Sequence, residues 1–502
     1  MGETPPEETD QRVRNIARGV SSLSAQYIVT SLLAFVLLAF LARILGVSNY
    51  GIYSAVLLVV GIALAFSNFG LQLASTRYVA LLRTSDEQES WAAARSTLLL
   101  TLGFTIVVTL AYAALTPYLS LFFTKSTQWT NLFLLGGMWL FGSSLAVTLL
   151  GVIQGLKKYA LMAKMLLGSR VIMVAFTILA LLEFNSIMVP LVGWALYYFL
   201  IILWSFKVVG KGILSKKKNY PYSTILKYSF PLAIAGVIQV FASNSDALAV
   251  GGYLPSSSLG IYNAVLQLTA VVGIVLVTPL VTAFFPEASS TKESEISNAF
   301  RLALRFIMLS VLPASFVMAG FSSQLLTLFS SSGSYLNGVV PMDLIAFFYL
   351  FVAIQGIATY LLQAIGHTTQ VMISGIAGAA VVIFASISLV PEFGIMGAAI
   401  SRISASIVGL GVALYFSRRH IGRLDNIGFY LKCVVCSILP FLALYLLGAL
   451  ISTRTLTLIP YVIVAGLVFL LCIKILKVLT EEDKRYISHL LPPFAQRFLK
   501  YV

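Results

Sequence analysis

Charge is what this chain lacks most. Of its 502 residues only 10% are charged, against 59% hydrophobic. A water-soluble fold needs about a quarter of its residues charged to cover its surface, so a soluble domain is excluded. The mean hydropathy of +0.95 agrees. Histidine is scarce, and His367, His420 and His489 lie far apart with no metal-ligand spacing. Three cysteines are present; Cys433 and Cys436 have redox spacing, but they lie in an apolar span without a second pair, which points to packing. No phosphate-cradling GxxxxGK[ST] loop occurs, so the chain is not expected to hydrolyse ATP. No Ser-His-Asp set and no soluble carboxylate pair suggests chemistry, so transport is favoured over catalysis, with no cofactor or metal expected. A cleavable leader is not evident: the chain opens with Pro5, Pro6, Glu7, Glu8 and Asp10, and its first apolar run is long enough to remain as an anchor.

What is present is a succession of long apolar runs. Hydrocarbon about 30 Å thick takes roughly 20 residues per helix. The runs fall near 20–42, 51–73, 92–115, 131–153, 161–183 and 186–207, then 228–251, 260–285, 300–321, 338–364, 370–390 and 394–416, and finally 430–451 and 456–477. Lipid offers the backbone no hydrogen-bond partner and nothing alternates as barrel strands would, so the expected fold is an all-α integral membrane protein with about 14 transmembrane helices. The expected division is a short N-terminal segment (1–19), an N-lobe of six helices (20–210), a basic linker (211–227), a C-lobe of six helices (228–417), two extra helices (430–478) and a tail (479–502).

The lobes are read from a repeat. Gly51-Ile52-Tyr53-Ser54-Ala55-Val56-Leu57 returns as Gly260-Ile261-Tyr262-Asn263-Ala264-Val265-Leu266, an offset of 209 (260 minus 51) that also carries Ile153-Gln154 onto Leu362-Gln363 and Thr30 onto Gln239. Because each copy holds an even number of spans, both enter the membrane from one side, and the pseudo-two-fold axis is expected along the membrane normal. Lys and Arg gather in one set of links with both termini, from Arg12, Arg14 and Arg18 through Lys216, Lys217 and Lys218 to Arg497 and Lys500, while the opposite set holds only Arg43, Lys125 and Arg454. The positive-inside rule then makes both termini cytoplasmic. The net charge of +15 is spread over short links with no basic domain or aromatic platform, which fits lipid headgroups and excludes a nucleic-acid partner.

Polar groups at membrane depth are the candidate site, because charge there is costly and faces a cavity or a partner. Arg170 lies in the cytoplasmic half of the fifth span, and Arg402 and Asp246 in the outer halves of the twelfth and seventh. Each sits on a polar stripe: Gln239, Ser243 and Asp246 share one helix face, as do Arg402 and Ser406, and Arg170 and Thr177. The second span adds Asn68, Gln72 and Ser75, leading to Arg77, and the first adds Arg14, Arg18, Ser22, Gln26 and Thr30. Helices one, two, seven and eight are expected to line a central cleft. Alternatives stay open at this point: Asp246 and Arg402 pairing to lock two helices, ordinary interhelical hydrogen bonds for Asn68, Gln72 and Gln239, and interfacial anchoring for Arg14, Arg18 and Arg77.

Several segments carry a resemblance. Leu41-Ala42-Arg43-Ile44-Leu45-Gly46 followed by Tyr50-Gly51-Ile52-Tyr53, then Asn68-Phe69-Gly70-Leu71 and Arg77-Tyr78-Val79-Ala80, resembles the opening of the polysaccharide (O-antigen type) flippases of the multidrug/oligosaccharidyl-lipid/polysaccharide exporter superfamily. The run from Gly366-His367-Thr368-Thr369 to Val390-Pro391-Glu392-Phe393-Gly394-Ile395-Met396-Gly397 resembles that family's eleventh and twelfth helices. Two departures remove coupling roles at their positions: Asn68 stands where the family often has Asp, and Ile383-Phe384-Ala385-Ser386 where it often has Asn-rich runs. The resemblance implies two lobes around a V-shaped cavity in a prokaryotic plasma membrane, passing an isoprenoid-diphosphate-linked oligosaccharide to the outer leaflet, with glycan polymerase or glycosyltransferases as partners. On that reading Arg170 and Arg402 contact phosphate, Asn68, Gln72 and Gln239 contact sugar, Arg18 and Arg77 join them near the inner surface, and Asp246 couples transport to protons or sodium. The competing readings are a cation-driven multidrug exporter of the same superfamily and a non-transporting scaffold or scramblase in a glycan-assembly complex.

Overall fold

In a bilayer the peptide groups of a spanning segment can bond only within the protein, which makes the helix the default. The computed structural model describes residues 6–83, 85–214, 220–278, 280–281, 296–329, 333–421, 427–450 and 458–479, without the side chains of 6–25, 27, 28, 296, 419, 443–450, 458, 459, 461 and 462. The described residues are helical with no strand. In chain order the helices are α1 (Pro6–Asn68), α2 (Leu71–Leu82), α3 (Glu87–Thr124), α4 (Thr130–Gly155), α5 (Tyr159–Phe184), α6 (Met188–Leu214), α7 (Tyr222–Tyr253), α8 (Ser256–Val272, continued as a π-helical turn over Gly273–Val277), α9 (Ile296–Gly320), α10 (Ser322–Thr327), α11 (Val339–Ala364), α12 (Thr368–Phe393), α13 (Ile395–Ile421), α14 (Ile427–Leu450) and α15 (Leu458–Ile475). Arg12, Arg14 and Arg18 fall on α1, but their side chains, like Lys216, Lys217, Lys218 and the tail from residue 480, lie outside the described residues.

Among the described residues eleven helical stretches are long and apolar enough to cross a membrane, and the first, Val29–Asn68, has 40 residues. A straight helix of that length would reach about 60 Å, twice the hydrocarbon thickness. Gly46, at φ 71° and ψ 167°, breaks it into two crossings, a backbone state that suits glycine. With that stretch counted as two and the shorter apolar helices Ile427–Leu442 and Ile463–Ile475 included, fourteen crossings result.

The repeat is visible in the helices themselves. An offset of 209 carries α4 onto α11 and α5 onto α12, end for end. The turns match as well. After α4, Lys157 adopts φ 58° and the amides of Lys157 and Lys158 bond the carbonyls of Gln154 and Ile153; after α11, Gly366 adopts φ 83° and the amides of Gly366 and His367 bond Gln363 and Leu362. Irregularity recurs too: α1 ends at Asn68 before a break at Phe69 and Gly70, and the π-helical turn of the second copy ends at Val277, 209 residues on.

Compactness divides the chain at Gly260. The first unit therefore includes α7 and the first turn of α8, whereas the repeat places a lobe boundary in the linker 211–227; α7 packs on α1, α2 and α3. Inside this unit the glycines that open both copies of the heptapeptide meet back to back. A Cβ on Gly51 would overlap the Ser256 carbonyl, and one on Gly260 would overlap the Val47 carbonyl and come within 2.9 Å of the Gly51 amide. Small residues let membrane helices approach this closely, and dispersion replaces a hydrophobic drive that lipid cannot supply. Helices α1, α3 and α4 are joined by a dry hydroxyl triangle, in which Ser67, Thr105 and Ser144 lie 2.7 to 3.0 Å apart. Below it, Thr101 and Thr148 bond at 3.0 Å.

The second unit packs around Phe300, Ile307, Val311, Ile357 and Leu361 of α9 and α11. Cys433, Cys436 and Cys472 are free thiols buried in the same core, as packing residues.

Gly51→Leu and Gly260→Leu are each expected to cost about 1–3 kcal/mol or to prevent folding, because the overlapped atoms are backbone. Gly61→Leu and Gly236→Leu, where a new Cβ meets nothing within 4 Å, are expected to leave the detergent melting temperature unchanged. Ser144→Ala, which removes a partner from both Ser67 and Thr105, is expected to cost about 0.6–2 kcal/mol in the same melts.

Candidate functional site

Arg170 lies eleven residues after the first residue of α5 and fourteen before its last, about 16 Å along the helix and close to its middle. Helix α6 approaches α5 because residue 193 is glycine; a Cβ there would overlap the Thr177 hydroxyl, one stripe position along from Arg170. That approach brings Trp194 and Tyr197 beneath the guanidinium, whose carbon lies 4.7 Å from the Trp194 ring centre and 5.8 Å from that of Tyr197. The shelf is rigid. Trp139 of α4 stacks on Trp194 at 5.3 Å, Tyr198 flanks Trp194 at 6.0 Å, and the Trp194 indole N–H donates to the Tyr53 hydroxyl at 2.9 Å. Aromatic faces attract a cation without using its N–H donors, which lie in the guanidinium plane. The Nε of Arg170 is buried with no hydrogen-bond partner among the described residues. A half-buried cation held on rings, with its Nε unused among the described residues, is suited to an anion.

In the second unit Arg402 sits seven residues into α13 with its guanidinium 5.4 Å from the Phe348 ring centre. The repeat offset maps this position onto Gly193, so each copy carries an arginine within its fifth and sixth helices, on opposite members of the pair. Asp246 lies seven residues before the end of α7, fully buried, and its carboxylate accepts the Ala247 amide at 2.8 Å.

The remaining candidates sit apart. Asn68 caps the broken helix: its Oδ1 accepts the Gln72 amide at 3.1 Å. Gln72 is half-buried where α2 packs against Gly151 of α4, a contact fastened by the Thr76 hydroxyl on the Gly151 carbonyl at 3.1 Å. Gln239 is exposed and donates to Ser243 at 3.0 Å. On α1, Gln26 and Thr30 bond to each other along the helix, and the side chain of Arg18 lies outside the described residues. Arg77 is exposed, 4.8 Å above the Tyr228 ring. Beside it, beyond the apolar spans, burial pushes the Tyr78 hydroxyl above the usual tyrosine range, so at neutral pH it stays protonated and donates to the Thr224 carbonyl at 3.2 Å.

Sequence reasoning missed the aromatic shelf. The signal was present, since Trp194, Tyr197 and Tyr198 follow i, i+3, i+4 on one face of the sixth span, but an aromatic stripe is usual in apolar helices and its cation comes from another helix.

The model of the polysaccharide biosynthesis protein family matches residues 16–292. The chain belongs to that family. No curated protein matches it in sequence. Among solved structures, the lipid II flippase MurJ in an inward closed conformation superposes with a TM-score of 0.76 at 16% identity, covering 90% of this chain and 98% of that one. An inward-facing multidrug resistance MATE family transporter of the MOP superfamily gives 0.59 at 13% identity, covering 79% and 98%. A MOP superfamily transporter from Pyrococcus furiosus, described as having a binding pocket of reversed polarity, gives 0.55 at 14% identity, covering 80% and 95%. At these identities the likeness establishes the fold, that of multi-pass membrane transporters. This member of the polysaccharide biosynthesis family thus places an aromatic-backed arginine at mid-helix within that fold.

Two substitutions separate a binding arginine from a structural one. Arg170→Leu is expected to leave the detergent melting temperature unchanged or to raise it, because a costly half-desolvated cation is removed. Tyr53→Phe strips the buried Trp194 N–H of its acceptor and is expected to lower stability by about 1–3 kcal/mol.

Proposed function

We propose that this protein carries an isoprenoid-diphosphate-linked oligosaccharide or polysaccharide repeat unit from the cytoplasmic to the outer leaflet of a prokaryotic plasma membrane, as a transporter and not an enzyme. The observation that carries the reading is Arg170, a guanidinium on Trp194 and Tyr197 with its Nε unused. A diphosphate cannot enter hydrocarbon without replacement of its water, and arginine offers planar, paired donors that match phosphate oxygens. Arg402 supplies the same chemistry in the second copy, and Asn68, Gln72 and Gln239 offer amides to sugar hydroxyls. Membership of a polysaccharide biosynthesis family and a fold shared with a lipid II flippase support this choice of cargo.

Alternating access exposes the headgroup to each leaflet in turn while the lipid tail stays in the bilayer. Asp246, a carboxylate fully buried on a transmembrane helix, is the group proposed to couple this cycle to a proton or sodium gradient. Both termini are placed in the cytoplasm by the distribution of Lys and Arg. A glycan polymerase or glycosyltransferases are the proposed partners at the two ends of the cycle. The multidrug reading is disfavoured because a site for organic cations calls for acidic groups, whereas the aromatic shelf already holds a cation.

Reconstituted vesicles holding a fluorescent polyprenyl-diphosphate disaccharide test the proposal. Arg170→Ala with Arg402→Ala is expected to slow translocation by about 10- to 100-fold, the loss of one or two charge-assisted contacts. Unchanged translocation by the double variant, in protein that inserts normally, removes the phosphate role of the two arginines, and absence of translocation by the unsubstituted protein favours the scaffold reading. Asp246→Asn is expected to remove the response to an imposed ion gradient while diphosphate binding persists.

A further inference from the structure

On the basic face of the first unit a second set of cations meets aromatic rings. Tyr78 of α2 and Ser223, Thr224, Lys227 and Tyr228 of α7 line an open cleft of about 780 Å³. Arg77 is not part of that lining but lies 4.8 Å from the ring centre of Tyr228, which is. The Tyr78 ring is fixed from two sides, 5.5 Å from Tyr220 and 5.8 Å from Tyr228, and its hydroxyl is tied to the Thr224 carbonyl. Tyr220 is held in turn by its carbonyl, which accepts the Ser96 hydroxyl at 2.9 Å. Ring stacking leaves the in-plane donors of Arg77 available, and Lys227 lies one turn beyond Ser223 and Thr224 on the same helix face.

Among the described residues the lining contains two serine or threonine hydroxyls, an ammonium and tyrosine rings, and no carboxylate. It therefore suits an anion and disfavours a cation. The volume falls within the range of about 300–1,000 Å³ typical of organic ligands and far exceeds a lone phosphate. Tyrosine faces in such a space pack against the C–H faces of sugars.

We infer that this cleft binds a phosphorylated sugar headgroup, with Arg77 and Lys227 on the phosphates and Tyr78 and Tyr228 against the sugar, as a site separate from Arg170. Both a lipid-linked saccharide and a soluble nucleoside-diphosphate sugar present this chemistry. The inference deepens the proposed function and rests on it for the ligand class; as a collecting site on the loading face, the cleft would hold the headgroup before it reaches membrane depth.

The test uses the full chain in zwitterionic nanodiscs and measures binding of three probes: inorganic diphosphate, a nucleoside-diphosphate sugar, and a polyprenyl-diphosphate disaccharide placed in the disc. Arg77→Gln with Lys227→Gln is expected to weaken the sugar-bearing probes by at least about tenfold. Lys207→Gln with Lys211→Gln, which removes equal charge from exposed positions on α6, is expected to change none of them. Tyr228→Ala is expected to weaken the sugar-bearing probes more than diphosphate, and Tyr228→Phe to restore them. Binding of both sugar probes assigns recognition to the headgroup alone, and binding of the disc-borne probe only assigns it to the lipid-linked form; either result supports the site. Equal loss in the Lys207 and Lys211 control, equal displacement by phosphatidylglycerol, or binding of neither sugar probe overturns it. These readouts are equilibrium binding, so a protein that binds but does not translocate refutes the proposed function alone, and one that translocates with an indifferent cleft refutes this inference alone.

Discussion

Hydrocarbon accepts no hydrogen bond, and every feature of this protein answers to that constraint. Backbone groups bond within helices, and among the described residues many buried hydroxyls bond either to the preceding helical turn, as Thr97 does to Ala93, or to one another, as Ser67, Thr105 and Ser144 do. Arg170 has a buried Nε with no partner among the described residues, and the aromatic shelf beneath it stabilises the charge without consuming its donors.

Glycine does the complementary work. At Gly46 it permits the backbone state that folds one long helix into two crossings, and at Gly70 a left-handed state that starts α2 after the Asn68 break. At Gly51 and Gly260 it removes side chains where backbones meet, and at Gly193 it lets α6 reach α5 and deliver Trp194 to Arg170. Motifs that look weak as strings of small and apolar residues are thus the hinge points and contact points of the fold. The recurring element here is geometry within one chain, repeated at an offset of 209: the same ends for α4 and α11 and for α5 and α12, the same positive-φ turns after α4 and α11, and an irregularity at the matching place, a break after Asn68 in one copy and a π-helical turn to Val277 in the other.

The candidate residues separate by environment. Asn68 serves the backbone as a cap, and Gln239 bonds along its own helix, so their sugar contacts in the proposed cycle add to roles they already hold. Arg170 and Arg402 share a distinct motif, a guanidinium over a ring in a membrane helix. Arg77 repeats it at the membrane surface, over Tyr228.

Hydropathy, charge asymmetry and the heptapeptide repeat were enough to determine the helical membrane class, the number of crossings and the duplicated plan, because lipid solvation acts on composition and periodicity, which are written along the chain. Arg170, Arg402 and Asp246 were legible for the same reason, as charges in apolar runs. What surrounds them was decided only by tertiary structure. Tyr53, Trp139, Trp194 and Tyr197 come from three helices, and Tyr78 meets Tyr220 and Tyr228 across some 140 residues of chain. Such meetings depend on which helix faces pack together, and close packing is set by small-residue contacts whose partners no local pattern names.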